Sequence, residues 1–177
     1  MKTYVEKERA CQVTFEKNGP FWHVYTDGTL MEDIFCSAED FNLGITLLAV
    51  CAVINCKVEL VTFELMNNHA HIIATGTIES ITNLFNGYKK LLTKCLNHNE
   101  HAPDLDKFNM HLHRINSLEN MRNAIAYVNR NGSVVDRHVC PYSYPWGANK
   151  YFFNPEAKRR YEEQRRKITT REKRKMR

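Results

Sequence analysis

Six cysteines (Cys11, Cys36, Cys51, Cys56, Cys95, Cys140) occur without a single C-x-x-C pair, which argues against a thiolate metal site. Cys51 and Cys56 bracket the end of an apolar run and are expected to be core residues. No apolar leader is present: the chain begins MKTYVEKERAC, so secretion is not expected and the thiols should stay reduced in a cytoplasm. Nor is there a long apolar stretch. Leu43–Ile54 falls short of the ~20 residues that span a bilayer, so no membrane partner is expected and this segment should be a core helix. No internal repeat is visible. Positive charge is scarce over most of the chain. Residues 158–177 hold eleven Lys/Arg against three Glu, which leaves fourteen basic against seventeen acidic residues elsewhere. The formal net charge of +5 is therefore a near-neutral body with a basic arm, and such arms most often contact nucleic acid.

At 177 residues the chain should form one domain, residues 1–154, followed by a charged helical arm, 155–177. ACQVTFE (10–16) and FWHVYT (21–26) read as strands joined at Asn18-Gly19-Pro20. Ser37 is a plausible N-cap for a helix running to about Ile54. KVELVTFEL (57–65) alternates, with Val58, Leu60 and Thr62 on one side. A short link, Met66-Asn67-Asn68, leads into a strand at 69–77, so the two should form a hairpin. Ser80–Asn97 repeats apolar residues at helical spacing, 97–107 is a polar linker, and FNMHLHRI (108–115) reads as a fourth strand. Asn116 or Ser117 should cap a helix running to Asn131 with Gly132 as its C-terminal stop. Hairpin-linked strands alternating with helices predict an α+β fold, a ferredoxin-like antiparallel sheet with helices on one face and the other face free for ligand.

His69-Ala70-His71 is the most informative motif. Alternation along a strand points both imidazoles the same way, where they can hold two positions of a divalent metal. Polar residues on a solvated sheet face would look the same. Downstream, Tyr127 and Asn131 stand at helical i, i+4 spacing. A tyrosine beside a metal can act as a nucleophile on phosphate, and Asn131 offers an oxygen to a hard cation. A half-buried helix tyrosine followed by a terminal asparagine is the bland alternative.

Together these residues resemble the single-tyrosine HUH transposases. NNHAHII matches the His-hydrophobic-His signature and AIAYVNRNG the tyrosine motif, nearest in pattern to REP-associated tyrosine transposases and their insertion-sequence relatives. The likeness covers roughly residues 10–150, including the basic helix NGYKKLLTKCLN and the later PYSYPW. Gly132 departs from it, standing where the family usually has proline. The resemblance implies Tyr127 as nucleophile, His69, His71 and Asn131 as metal ligands, and Mg²⁺ or Mn²⁺ as the metal. It further implies cleavage and joining of single-stranded, hairpin-containing DNA through a 5′-phosphotyrosine intermediate. A homodimer exchanging the tyrosine helix is compatible with it, as is a monomer. Two other functions fit the same residues less fully: a non-cleaving single-stranded nucleic-acid-binding module, and a metal-dependent phosphodiesterase using water.

Lys89, Lys90, Lys94 and Arg130, with Arg159, Arg160, Arg165 and Arg166 of the arm, are candidate DNA contacts, though the three lysines suit a solvated helix face equally well. Trp22, Trp146, Tyr142 and Tyr144 could stack on bases, but packing is the better reading. His111 and His113 form a second H-x-H that could line the same sheet face.

Overall fold

A computed structural model gives the structure of the chain and describes residues 3–29, 31–96, 102–135 and 144–152. In chain order the elements are α1 (Tyr4–Asn18), β1 (Phe21–Thr26), α2 (Ala38–Ile54), β2 (Glu59–Leu65), β3 (Ala70–Thr75), α3 (Ile78–Leu96), β4 (Met110–Ile115), α4 (Leu118–Val128), α5 (Asn131–Val135) and α6 (Asn149–Phe152). From β1 to β4 this is β-α-β-β-α-β, and the four strands lie in the order β2-β3-β1-β4 with every neighbour antiparallel. That is the expected ferredoxin-like sheet.

Strand alternation divides the apolar residues between two clusters. Trp22, Val24, Ile72, Ala74 and Leu112 face α2 and α3, which bury Leu48, Cys51, Leu84, Phe85, Tyr88 and Leu92 against them. Phe21, Ile73 and Ile115 face the other way and are met by Met121 and Val128 of α4. The opposite face is therefore partly covered: α4 lies across one end of it, and α1 packs behind α4 through the Arg122–Glu8 ion pair. Among the described residues, the other end remains open.

Several local expectations hold. Ser37 caps α2 by accepting from the Asp40 N–H, and the Asp40 carboxylate accepts from the Ser37 N–H in return. Ser117 caps α4 by accepting from the Asn120 N–H. Within α2, Gly44 gives room to Phe35, whose ring would lie 2.6 Å from a Cβ there. Trp22 and Trp146 are packing residues: Trp22 Nε1 donates to the Gly76 carbonyl, and Trp146 stacks on Phe41 at 4.7 Å. Tyr144 packs as well, its hydroxyl donating to the Leu65 carbonyl. Tyr142 lies outside the described residues.

Other expectations are corrected. Residues 10–16 are helical, because the Thr3–Glu6 capping box starts α1 upstream and none of its residues is buried as an inner strand would require. Cys51 is a core residue but Cys56 is exposed. The alternation in β2 breaks at Val61, where the register slips: Leu60 faces α2 and α3, while Val61 and Thr62 both face α4. Thr62 therefore does not share a side with Leu60. Finally, the tyrosine helix ends at Val128 with Asn129 as its cap, and Gly132 lies inside the short α5 instead of terminating α4.

Candidate functional site

Alternation that buries Val24, Ile72 and Leu112 sends His23 and Tyr25 of β1, His71 of β3, and His111 and His113 of β4 to the open end of the other face. His69, the residue before β3, joins them. His71 is at the centre and 5% exposed. Ring centroids lie 5.1 Å away at His69, 5.2 Å at His23, 6.1 Å at Tyr25 and 5.4 Å at Tyr127, which α4 lowers edge-on over His71. Tyr127 is 54% exposed, and its hydroxyl forms no hydrogen bond among the described residues.

Both motif histidines have a partner at Nδ1. Asn68 donates its Nδ2 to the Gly28 and Met31 carbonyls, so its Oδ1 faces His69 and accepts from Nδ1 at 2.8 Å. That fixes the Nδ1–H tautomer and leaves Nε2 with a free lone pair. Gly28 is needed for this approach, because a Cβ there would sit 2.7 Å from His69 Nδ1. For His71, Nδ1 lies 3.1 Å from His23 Nε2. Donation from His71 to His23 again leaves Nε2 free. Burial pushes all three imidazoles below the ordinary range, His23 to about 4 and His71 to about 3, with neighbouring imidazoles (His113 for His23; His69 and His23 for His71) adding to the fall. These are neutral rings, as ligation requires. Among the described residues no third His, Cys, Asp or Glu completes a ligand cluster with them.

Two clefts flank this centre and share Tyr25, His71 and Tyr127. One, of about 610 Å³, adds Asp27, Gly28, Asn68, His69 and His111. The other, of about 590 Å³, adds His23, His113, Asn120, Asn123 and Ala124. Asp27 is held low chiefly by the backbone and hydroxyl of Thr29, with His111 and His69 contributing.

Asn131 is not brought into either cleft. Its Nδ2 donates to the Tyr127 and Val128 carbonyls at the end of α4. Beside it stands Glu64, 1% exposed and paired with His71 in the β2–β3 register. Glu64 Oε1 accepts from the Gly132 N–H at 3.1 Å, while Oε2 is buried with no partner among the described residues. Burial pushes this carboxyl up to about 7, against the opposing pull of the Gly132 and Asn131 N–H groups. Gly132 must be small, since a Cβ would run into the Tyr144 ring.

Of the candidate DNA contacts, Lys89, Lys90 and Lys94 lie on α3, across the sheet from the histidines, and Lys89 is committed to the Asp106 carbonyl and Asn109. Arg130 is exposed just past α4, and the four arginines of the arm lie outside the described residues. Sequence reasoning missed His23 and Glu64. His23 sits in a strand whose neighbour only the sheet order reveals, and Glu64 is marked out by a partner 68 positions away, the Gly132 N–H. No helix among the described residues is long and apolar enough to cross a membrane.

The sequence matches no model of a known protein family and no curated protein. Solved structures do match. A REP-associated tyrosine transposase bound to a REP hairpin is similar with a TM-score of 0.54 at 12% identity, over 74% of this chain and 77% of that one. A candidate transposase from Deinococcus radiodurans gives 0.43 at 14% identity, over 68% and 92%. The first likeness establishes a shared fold.

Proposed function

We propose that this chain, built on the fold of a tyrosine transposase, cleaves and rejoins single-stranded DNA with Tyr127 as nucleophile. The observation that carries the reading is the meeting of Tyr127 of α4 with the two motif histidines at the start of β3. Tyr127 lies over His71, and His71 and His69 each have Nδ1 engaged and Nε2 free. Two neutral imidazoles with free Nε2 atoms fit a divalent metal, Mg²⁺ or Mn²⁺. Asn131, whose Oδ1 forms no hydrogen bond among the described residues, is the proposed oxygen ligand, for which its side chain would have to leave the Tyr127 and Val128 carbonyls and turn toward the histidines. When bound, the metal would neutralise charge developing on the phosphate oxygens.

The Tyr127 oxygen attacks phosphorus, forming a Tyr–O–P bond as the P–O3′ bond breaks, and its proton leaves to water at the cleft mouth. O3′ departs and takes up a proton. A 3′-hydroxyl attacking the phosphotyrosine reverses both changes and rejoins a strand. Asn68 and His23 hold the two rings in the tautomers this needs. Arg130 and the basic 158–177 segment, with Arg159, Arg160, Arg165 and Arg166, are the proposed phosphate contacts, and hairpin-containing single strands the proposed substrate. The transposase of similar fold is itself bound to a hairpin.

The test is incubation with labelled hairpin-containing single-stranded DNA and Mg²⁺ or Mn²⁺, followed by a denaturing gel. A covalent protein–DNA band is the expected result. Cleavage without such a band would indicate a water-using phosphodiesterase, and retention without cleavage a binding module.

A further inference from the structure

The helix that carries the proposed nucleophile turns a second set of side chains toward the sheet. Asn120, Asn123 and Ala124 share a face of α4 with Tyr127 at helical spacing, and they wall the 590 Å³ cleft opposite His23 and His113. His23 and His113 are themselves cross-strand partners in the β1–β4 register. Among the described residues, the carboxamides of Asn120 and Asn123 and the His113 imidazole form no hydrogen bond, and all three residues are exposed. Among the described residues, no Lys, Arg, Asp or Glu lines this cleft. A pocket for phosphate would need Lys or Arg side chains, whereas this one offers carboxamides, imidazole rings and aromatic planes. Those are the groups that hold an unstacked nucleobase, by stacking on its face and hydrogen-bonding its edge.

Position decides which base. The two clefts meet at Tyr127 and His71, where the proposed reaction puts the attacked phosphate, so each cleft is the natural seat of one flanking nucleotide. We infer that the α4-side cleft is a base-reading pocket for the nucleotide directly adjoining the cleaved bond, with Asn120 and Asn123 as the reading residues. This inference rests on the nicking reading above. A carboxamide presents a donor beside an acceptor, which matches the edge of adenine best.

The experiment uses the full chain with Mn²⁺ and a pool of single-stranded oligonucleotides carrying a randomised segment. Covalent adducts are isolated and the DNA within them sequenced. The wild-type protein should show one strongly biased position immediately beside the broken bond, about tenfold for the preferred base, as one good side-chain–base pair provides. In Asn120→Ala/Asn123→Ala the adducts formed should carry a bias of under about threefold at that position, with other positions unchanged. Asn123→Asp, which presents only acceptors, should move the preference toward cytosine. Both side chains are exposed, and circular dichroism checks that the variants fold. An unbiased flanking position in the wild type, a bias that survives the double variant, or a folded double variant that forms no adduct would each overturn the inference while leaving nicking intact. No wild-type adduct from any member of the pool would instead overturn the nicking reading, and this inference with it.

Discussion

The two faces of the sheet use the same strands for opposite ends. Toward α2 and α3, β1 and β3 present Trp22, Val24, Ile72 and Ala74, each close-packed and needing nothing but area. Toward α4 the same strands present Tyr25 and the imidazoles of His23 and His71, which burial keeps neutral, and these open onto two clefts. One face supplies the hydrophobic stabilisation that the other gives up by sequestering imidazoles. Residues adjacent in sequence should therefore fail in different ways.

The largest contrast is in chemistry. Tyr127→Phe should remove covalent DNA capture altogether on a denaturing gel and leave binding almost intact. The side chain is 54% exposed and forms no hydrogen bond among the described residues, so the melting temperature should stay within a degree or two of wild type. Adduct formation by the phenylalanine variant would mean that another residue is the nucleophile.

Next is stability, read at two neighbours on β3. Ile72 is 2% exposed in the α2–α3 layer, and Ile72→Ala should cost about 2–5 kcal/mol in urea denaturation. His71→Gln, one residue earlier and facing the clefts, should cost about 1 kcal/mol. It should abolish Mn²⁺ binding measured by calorimetry, which Ile72→Ala spares wherever it folds. Equal stability losses at the two positions would show that the faces are not divided as described.

How far the sequence revealed this division depends on the range of the interaction that sets it. Ser37 and Ser117 announced their helices because caps act within three residues, and the His69–His71 hairpin was legible from period-two spacing and a short link. His23 was not. It is a lone histidine in β1, and only a sheet order that puts β1 beside β3 brings it to a residue 48 positions away. The capping box at Thr3–Glu6 is a local signal that outweighs the apparent alternation at 10–16. The slip at Val61 and the end of α4 at Val128 depend on distant partners, since Thr62 Oγ1 donates to Asn129 and Glu64 receives the Gly132 N–H. That last bond also gives meaning to the glycine in a place where proline is usual among the proteins the motif resembles. A proline at 132 could not donate to Glu64. Gly132→Ala keeps the N–H but crowds Tyr144, and should cost about 1–3 kcal/mol. Gly132→Pro should cost more than Gly132→Ala, because it also leaves a buried carboxyl without that partner. Equal costs for the two would show that the Glu64 contact contributes nothing.

The smallest effect is in the pH dependence of stability, where the polar face works against itself. The imidazoles of His23 and His71 titrate near 6.5 when unfolded and at about 4 and about 3 when folded. Below pH 6.5 the unfolded chain takes up protons that the native chain does not, so these groups lower stability as pH falls from about 6.5 toward 3. Glu64 has the opposite sign. Its folded value of about 7 lies above the unfolded 4.5, so the native chain keeps a proton that the unfolded chain has lost. This contribution lowers stability as pH rises from 4.5 to 7. Between 4.5 and 6.5 the slopes oppose, two imidazoles against one carboxyl, so wild-type stability should still fall as pH drops, with Glu64 cancelling part of the histidine slope. Glu64→Gln removes one of them while keeping an acceptor for the Gly132 N–H. With metal excluded by EDTA, the variant's stability relative to wild type should therefore rise across pH 4.5–7, by on the order of 2 kcal/mol at its plateau. The same variant should show a steeper acid limb than wild type, since the histidines are then unopposed. Curves for the two proteins that run parallel from pH 4 to 8 would mean that Glu64 is charged in the folded protein, and that something other than the α5 backbone compensates it.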